Sequence, residues 1–158
     1  MLFRSAYQMS ACHAIEDALG VVVDGPLREL RRLLYCGEWI ESHTLHVHLL
    51  HAPDFLGHDS AVEMAGAERA AVERGLEIKK IGNEILELVG GRAIHPVNVK
   101  VGGFYKVPTR RELHSLIGRL ERGRDLAAEA VTWVAGFDFP DQEMDHELVT
   151  TEIGRAHV

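Results

Sequence analysis

The sequence predicts a mainly α protein, an elongated antiparallel bundle of long helices. Three observations carry this reading. Long stretches repeat apolar residues at three- and four-residue spacing, the period of a helix with one buried face. Ser-x-x-Glu or Thr-x-x-Glu, the chemistry that starts helices, stands before two of these stretches. The breakers between them are few and the connections short, which makes neighbouring helices antiparallel.

Taken in order, residues 6–19 are mostly helix formers, with Gly20 as the stop. Residues 21–23 are a short β-branched run before the turn signal Asp24-Gly25-Pro26. Pro26 suits the start of a helix, where its missing N–H would have no partner anyway. The second helix is expected over residues 27–51, on the stripe Leu30, Leu33, Leu34, Gly37, Ile40, Leu45 and Leu49. Pro53 is expected to end it, leaving residues 54–58 as a loop. Asp59 or Ser60 caps a third helix reaching residue 89, with Glu63 completing a capping box. Its stripe is Met64, Ala67, Ala71, Leu76, Ile78, Ile81, Ile85 and Leu88, and Gly90-Gly91 stops it. Residues 92–108 read as loop or strand, rich in Gly, Pro and Val. Thr109 caps a fourth helix to residue 135, with Glu112 in a second capping box. The acidic residues 137–151 read as extended or loop. Helices of about 25 residues span about 38 Å at 1.5 Å per residue, hence the elongated shape.

Composition narrows the function. The chain is 46% hydrophobic and 26% charged, the range of a globular domain. No window approaches the roughly 18 to 20 apolar residues of a membrane span, and no secretory leader is visible. A formal charge of −7 without a basic arm disfavours a nucleic-acid surface. Two cysteines, Cys12 and Cys36, are too few for a disulfide framework and too far apart for CxxC, so a reducing cytoplasm is expected.

Two segments are candidates for chemistry. Five of the ten histidines lie between residues 43 and 58, and imidazoles suit zinc, nickel, iron and copper. On an ideal helix His43 and His46 are neighbours, as are His48 and His51, but His46 and His48 point to opposite sides. The four therefore cannot close on one metal, and packing or interfacial hydrogen bonding is the alternative reading. The second segment, residues 90–108, has two glycine pairs and a proline bend, so its bare backbone could approach a ligand or simply turn the chain. It matches no phosphate or dinucleotide loop. Cys12 and Cys36 read as small core residues. Glu16, Asp17, Glu38 and Glu41 read as solvated carboxylates.

Both ends are expected to be foreign to the protein. Residues 152–158 can be encoded by GAGATCGGAAGAGCACACGTC, and residues 1–5 by GTGCTCTTCCGATCT, whose reverse complement lies inside the first string. Both resemble a common sequencing adapter, so genuine protein is expected over residues 6–151.

Three segments together resemble the [NiFe]-hydrogenase large subunit. AYQMSACHAIEDALGV, residues 6–21, resembles the helix following the family's N-terminal RxCGxC motif. LRELRRLLYCGEWIESHTLHVHLLHAPDFLG, residues 27–57, is similar to the long family helix with its SHxLHxxxL pattern. GGRAIHPVNVKVGGFYKVP, residues 90–108, resembles the family's G-[GS]-x-x-x-H-P…GG loop. LHAPDFLG and IKKIGNEILELVGGRAIH look closest to the cytoplasmic, NAD(P)-linked and sulfhydrogenase-like branch.

That resemblance implies a mainly helical subunit that holds a Ni–Fe centre and interconverts H₂ with protons and electrons. In the family four cysteine thiolates, from the RxCGxC and a C-terminal DPCxxC motif, hold the metals, and the iron carries cyanide and carbonyl ligands. A small subunit with Fe–S clusters takes the electrons, and NAD(P)-linked diaphorase subunits are further expected partners. Cys12 and Cys36 match none of the ligand positions, so no metal ligand carries over. The isolated stretch, residues 6–151, is expected to be a partial large-subunit domain without catalytic residues of its own. The family's proton-relay glutamate lies upstream of the first motif and has no match here. His95 matches a family histidine near the small subunit's proximal Fe–S cluster. Tyr7 stands where the family often has histidine just after the first motif. His43 and His46 fall on SHxLH, with structural roles or roles behind the metal ligands. The alternatives are a nickel-free, quinone-reacting subunit of the complex I type with the same fold, and a free-standing helical interaction module.

Overall fold

The structure is a computed structural model, described over residues 4–141, 143 and 145. Its helices are α1 (Arg4–Leu19), α2 (Gly25–Leu45), a π-helical turn (His46–His51), α3 (Ala52–Leu56), α4 (Ala61–Ala67), α5 (Arg69–Gly90), α6 (Arg110–Ser115) and α7 (Ile117–Val134). A two-residue hairpin, β1 (Val99–Lys100) and β2 (Gly103–Phe104), pairs antiparallel between α5 and α6.

Successive contacts give the topology. Along α2, Leu34, Gly37 and Glu41 meet Gly90, Ile85 and Gly82 of α5 in falling order, so the two run antiparallel. Glu16 pairs with Arg31, and His13 faces Tyr35, which sets α1 antiparallel to α2. Arg119 with Glu84 and Gly123 with Ile81 set α7 antiparallel to α5. The expected antiparallel bundle is therefore observed, with α2 and α5 as its central pair. These two cross closely because neither Gly37 nor Gly82 carries a side chain. A Cβ on Gly82 would lie 2.7 Å from the Glu41 amide nitrogen.

The main core joins α1, α2, α5 and the hairpin through Met9, Cys12, Leu34, Ile85, Leu86, Val89, Val99, Phe104 and Leu116. A smaller core of Ile78, Leu126 and Ala130 sits between α5 and α7. Helix ends follow the chemistry read from the sequence. Gly91 closes α5 with φ 82°, a left-handed value glycine takes at no steric cost. Thr109 and Glu112 form the expected capping box at α6. At α4, Ser60 accepts from the Glu63 amide at 3.2 Å, but Glu63 reaches back to the Asp59 amide, at 2.8 Å, rather than to Ser60.

Four expectations need correction. The second helix does not stop before Pro53. The π turn adds a residue to the turn, so the Ala52 amide donates to the Val47 carbonyl five residues back. Pro53 then occupies the first turn of α3, where an absent N–H costs little, and the helix ends at Gly57 with φ 76°. The third helix is broken at Glu68, with φ −115° and ψ 43°. Residues 66–70 are all exposed, so no packing holds the helix straight through Gly66. Leu76, placed in its buried stripe, is exposed, because the α5 face set by Gly75, Ile78 and Gly82 turns it outward. A shorter break at Leu116 divides the fourth helix, where Leu116 itself turns into the core. Residues 135–141 carry no regular helix or strand, as expected from residue 137 on, while the fourth helix, expected to reach residue 135, ends at Val134. The expected foreign ends lie outside the described residues, except for Arg4 and Ser5, which open α1.

Candidate functional site

The segment 92–108 is held at a shaped station rather than left as a free loop. The Gly90 carbonyl accepts from the amides of Val97, at 2.8 Å, and Asn98, at 3.0 Å. Asn98 Nδ2 donates to the Val89 carbonyl, and the Asn98 carbonyl accepts from Tyr105. Pro96 is buried against Gly90, where a Cβ would stand 2.8 Å from the proline ring. Gly90 is thus the floor on which the His-Pro bend rests.

A buried ion pair joins α1, α2 and the hairpin. Arg31 Nη1 and Nη2 donate to both oxygens of Glu16 at 2.7 and 2.6 Å. Arg31 Nη2 also donates to the Lys100 carbonyl at 3.0 Å, and the Gly102 amide donates to Glu16 Oε1 at 2.8 Å. The planar guanidinium suits this two-pronged match. Its bonds hold the Glu16 carboxyl below the usual carboxylate range, with Gly102 adding to the effect, although burial opposes it. The same pairing raises Arg31 further, so both groups stay charged. Glu16, with Glu38 and Glu41, is therefore buried, which corrects their reading as solvated groups; Asp17 alone of the four is exposed. Glu41 is instead paired with Lys79 at 2.6 Å. No spacing rule links Glu16 to Arg31, fifteen residues apart on two helices. The available signal was an arginine in the middle of an apolar stripe.

His95 sits at the crest of the bend, half-buried, with φ 57°. A left-handed backbone at a residue other than glycine costs of order 1–3 kcal/mol and persists only where its surroundings enforce it. Here the bonds from Val97 and Asn98 to the Gly90 carbonyl and the packing of Pro96 on Gly90 hold the chain that follows it. Along the same segment Ile94, Val97, Val101, Tyr105 and Val107 are exposed, Tyr105 to 73%. A segment that exposes several apolar side chains beside a backbone-strained histidine suits docking against another surface.

The remaining sequence candidates are not gathered at this place. Tyr7 is 70% exposed near the start of α1. His43 is exposed near the end of α2, and His46 is half-buried at the start of the π turn, its Nδ1 2.6 Å from the Ser42 carbonyl. The π turn also changes which histidines meet. His46 stacks with His51 at 6.0 Å between centroids, while His48 turns inward against Trp133 at 5.4 Å. The expected His48–His51 neighbourhood is absent because a π turn brings residues five apart into register. His48, expected beside His51 within the histidine cluster, is only 2% exposed. Its pKa is pushed down, by burial first and then by Arg74, against the Thr44 carbonyl. Cys12 lies in the main core, and burial pushes its thiol up. Among the described residues no group of three or more His, Cys, Asp or Glu is placed to hold a metal ion. None of the described helices is long and apolar enough to cross a membrane.

No family model matches the chain. Its relatives are nonetheless consistent. The alpha chain of Sulfhydrogenase 2 from Pyrococcus furiosus is 44% identical over 111 residues, 70% of this chain. The alpha chain of Sulfhydrogenase 1 from the same organism is 36% identical over 78% of the chain. An F420-non-reducing hydrogenase subunit from Methanocaldococcus jannaschii is 36% identical over 72%. The chain spans only 27% to 29% of these proteins' own length. Among solved structures, an NAD⁺-reducing [NiFe]-hydrogenase in its H₂-reduced state superposes with TM-score 0.74 and 28% identity, over 79% of this chain and 30% of that one. Three motif segments, a mainly helical fold and relatives above 30% identity across more than two thirds of the chain agree: it belongs to the [NiFe]-hydrogenase large-subunit family.

Proposed function

We propose that the chain is part of a large subunit whose whole protein interconverts H₂ with two protons and two electrons and passes the electrons to Fe–S clusters of a small subunit. The observation that carries this reading is the rigid His95 bend. It presents one histidine in a segment of exposed apolar side chains, next to a hairpin that Glu16 and Arg31 hold, as a surface made to receive a partner. His95 then lies at the small-subunit interface and supports electron transfer by hydrogen bonding rather than by touching H₂. Tyr7, His43 and His46 serve structurally or behind the metal ligands. NAD(P)-linked diaphorase subunits and a cytoplasmic location complete the proposal, in line with the sulfhydrogenase-like relatives.

The described residues do not fit the family's Ni–Fe centre. Such a centre takes thiolates, which suit these soft metals. Cys12 is buried with its thiol pushed up, so it is protonated at neutral pH, and Cys36 stands alone, half-buried on α2. No step of hydrogen chemistry is therefore derived from these residues, and the 158-residue chain alone is expected to be inactive.

The test is H₂-dependent viologen reduction. The full-length gene, expressed with its maturation proteins and its small subunit, is expected to reduce the dye, and the 158-residue chain is expected not to. Activity in the short chain would overturn the assignment of the metal ligands elsewhere. Inactivity of a correctly metallated full-length complex would overturn the function itself.

A further inference from the structure

The π turn places His46 and His51 on one side of the α2–α3 segment, rings face to face, centroids 6.0 Å apart and planes 27° from parallel. On a straight α-helix, residues five apart diverge by about 140° at 3.6 residues per turn. The wider π turn removes most of that divergence. His46 Nδ1 lies 2.6 Å from the Ser42 carbonyl. A carbonyl oxygen only accepts, so Nδ1 carries the hydrogen and donates. The neutral ring is thereby fixed in one tautomer, with the Nε2 lone pair unprotonated. A histidine whose second nitrogen donates to a carbonyl is the arrangement that orients metal-ligating imidazoles and raises their basicity. His46 is half-buried and His51 exposed, so both can be reached from solvent.

We propose that His46 and His51 form a two-imidazole chelate for a late first-row divalent ion, with water completing its coordination. Imidazole pairs suit Cu²⁺, Ni²⁺ and Zn²⁺, and affinity should run Cu²⁺ above Ni²⁺ and Zn²⁺. Metal–nitrogen bonds of about 2.0–2.1 Å bring the rings closer than they now stand, a change that rotation of the exposed His51 side chain supplies while His46 keeps its bond to the Ser42 carbonyl. His48, between them in sequence, stays out of the site because it faces Trp133 inside the bundle.

The test is titration of the 158-residue chain with Cu²⁺, followed by calorimetry and by nitrogen couplings in the electron paramagnetic resonance spectrum. Circular dichroism of each variant checks that it folds. A first equivalent bound through two nitrogens is expected, with Ni²⁺ and Zn²⁺ competing more weakly. His46→Gln and His51→Gln should each lower the first-equivalent affinity at least tenfold, while His58→Gln leaves it unchanged. Unchanged affinity in either the His46 or the His51 variant would overturn the chelate, as would a spectrum showing one nitrogen.

Discussion

Glu16→Gln is the perturbation with the largest derivable consequence. The Glu16 and Arg31 side chains are 6% and 4% exposed. Glutamine keeps an oxygen that can accept from the Gly102 amide, so the local shape survives. What it removes is the charge opposite a buried guanidinium. Breaking a buried pair in this way costs about 3–5 kcal/mol, because the remaining charge is uncompensated. For a chain of this size about 1 kcal/mol moves the melting temperature by about 2–4 °C, so the expected loss is about 6–20 °C in a thermal melt by circular dichroism. The double variant Glu16→Leu/Arg31→Met removes both charges and should recover most of that stability. It also removes the donor to the Lys100 carbonyl and the acceptor for the Gly102 amide. Amide exchange over residues 96–104 should therefore accelerate in the double variant even where the melting temperature recovers. A loss below about 1 kcal/mol for Glu16→Gln would refute the pair's role as the anchor of the hairpin.

Acid should destabilise the fold in two windows. His48 has a folded pKa below its unfolded value, so the unfolded chain binds the extra proton. Its stabilisation is full above the unfolded value of about 6.5 and is lost as pH falls through the folded pKa, by up to about 1.4 kcal/mol per pH unit. Glu16, also lowered, keeps its contribution above an unfolded carboxylate value of about 4.3 and loses it below. Denaturant melts from pH 8 to pH 3 should show both steps, and His48→Gln should abolish only the first. Gly75→Ala puts a Cβ 2.5 Å from the His48 Cβ; it should cost about 1–3 kcal/mol and red-shift Trp133 fluorescence as the stack opens. Thr109→Ala removes the α6 cap, at a cost of about 1 kcal/mol, and should speed exchange of the Leu113 amide about fivefold. The isolated chain should be poorly soluble, since Tyr7, Trp39, Ile94 and Tyr105 are exposed apolar side chains; a monodisperse monomer at high concentration would contradict this.

The helices were legible because their signals are local. Ile78, Ile81 and Ile85 repeat at helical spacing, and Thr109 with Glu112 marks a start within four residues. What depends on distant partners was not legible. Glu16 reads as one more surface carboxylate until Arg31, on the next helix, is brought against it. The break at Glu68 follows from missing packing around Gly66, which no window of sequence reports. The π turn hid twice: it carried the helix past Pro53, and it exchanged the His48–His51 neighbourhood for His46–His51. Of the candidate site, the His95 bend was visible from its glycine and proline residues, because turn chemistry is also local. The strain at His95 was not, since proline restrains the residue before it toward extended backbone.

The central claim, membership in a hydrogenase large subunit whose metal ligands lie outside these residues, is tested most directly by long-read sequencing of the source DNA across this locus. The account predicts an RxCGxC motif directly upstream of codon 6 and a DPCxxC motif far downstream, in one reading frame. A frame that begins Met-Leu-Phe-Arg-Ser, closes after Val158 and lacks both cysteine motifs would contradict it.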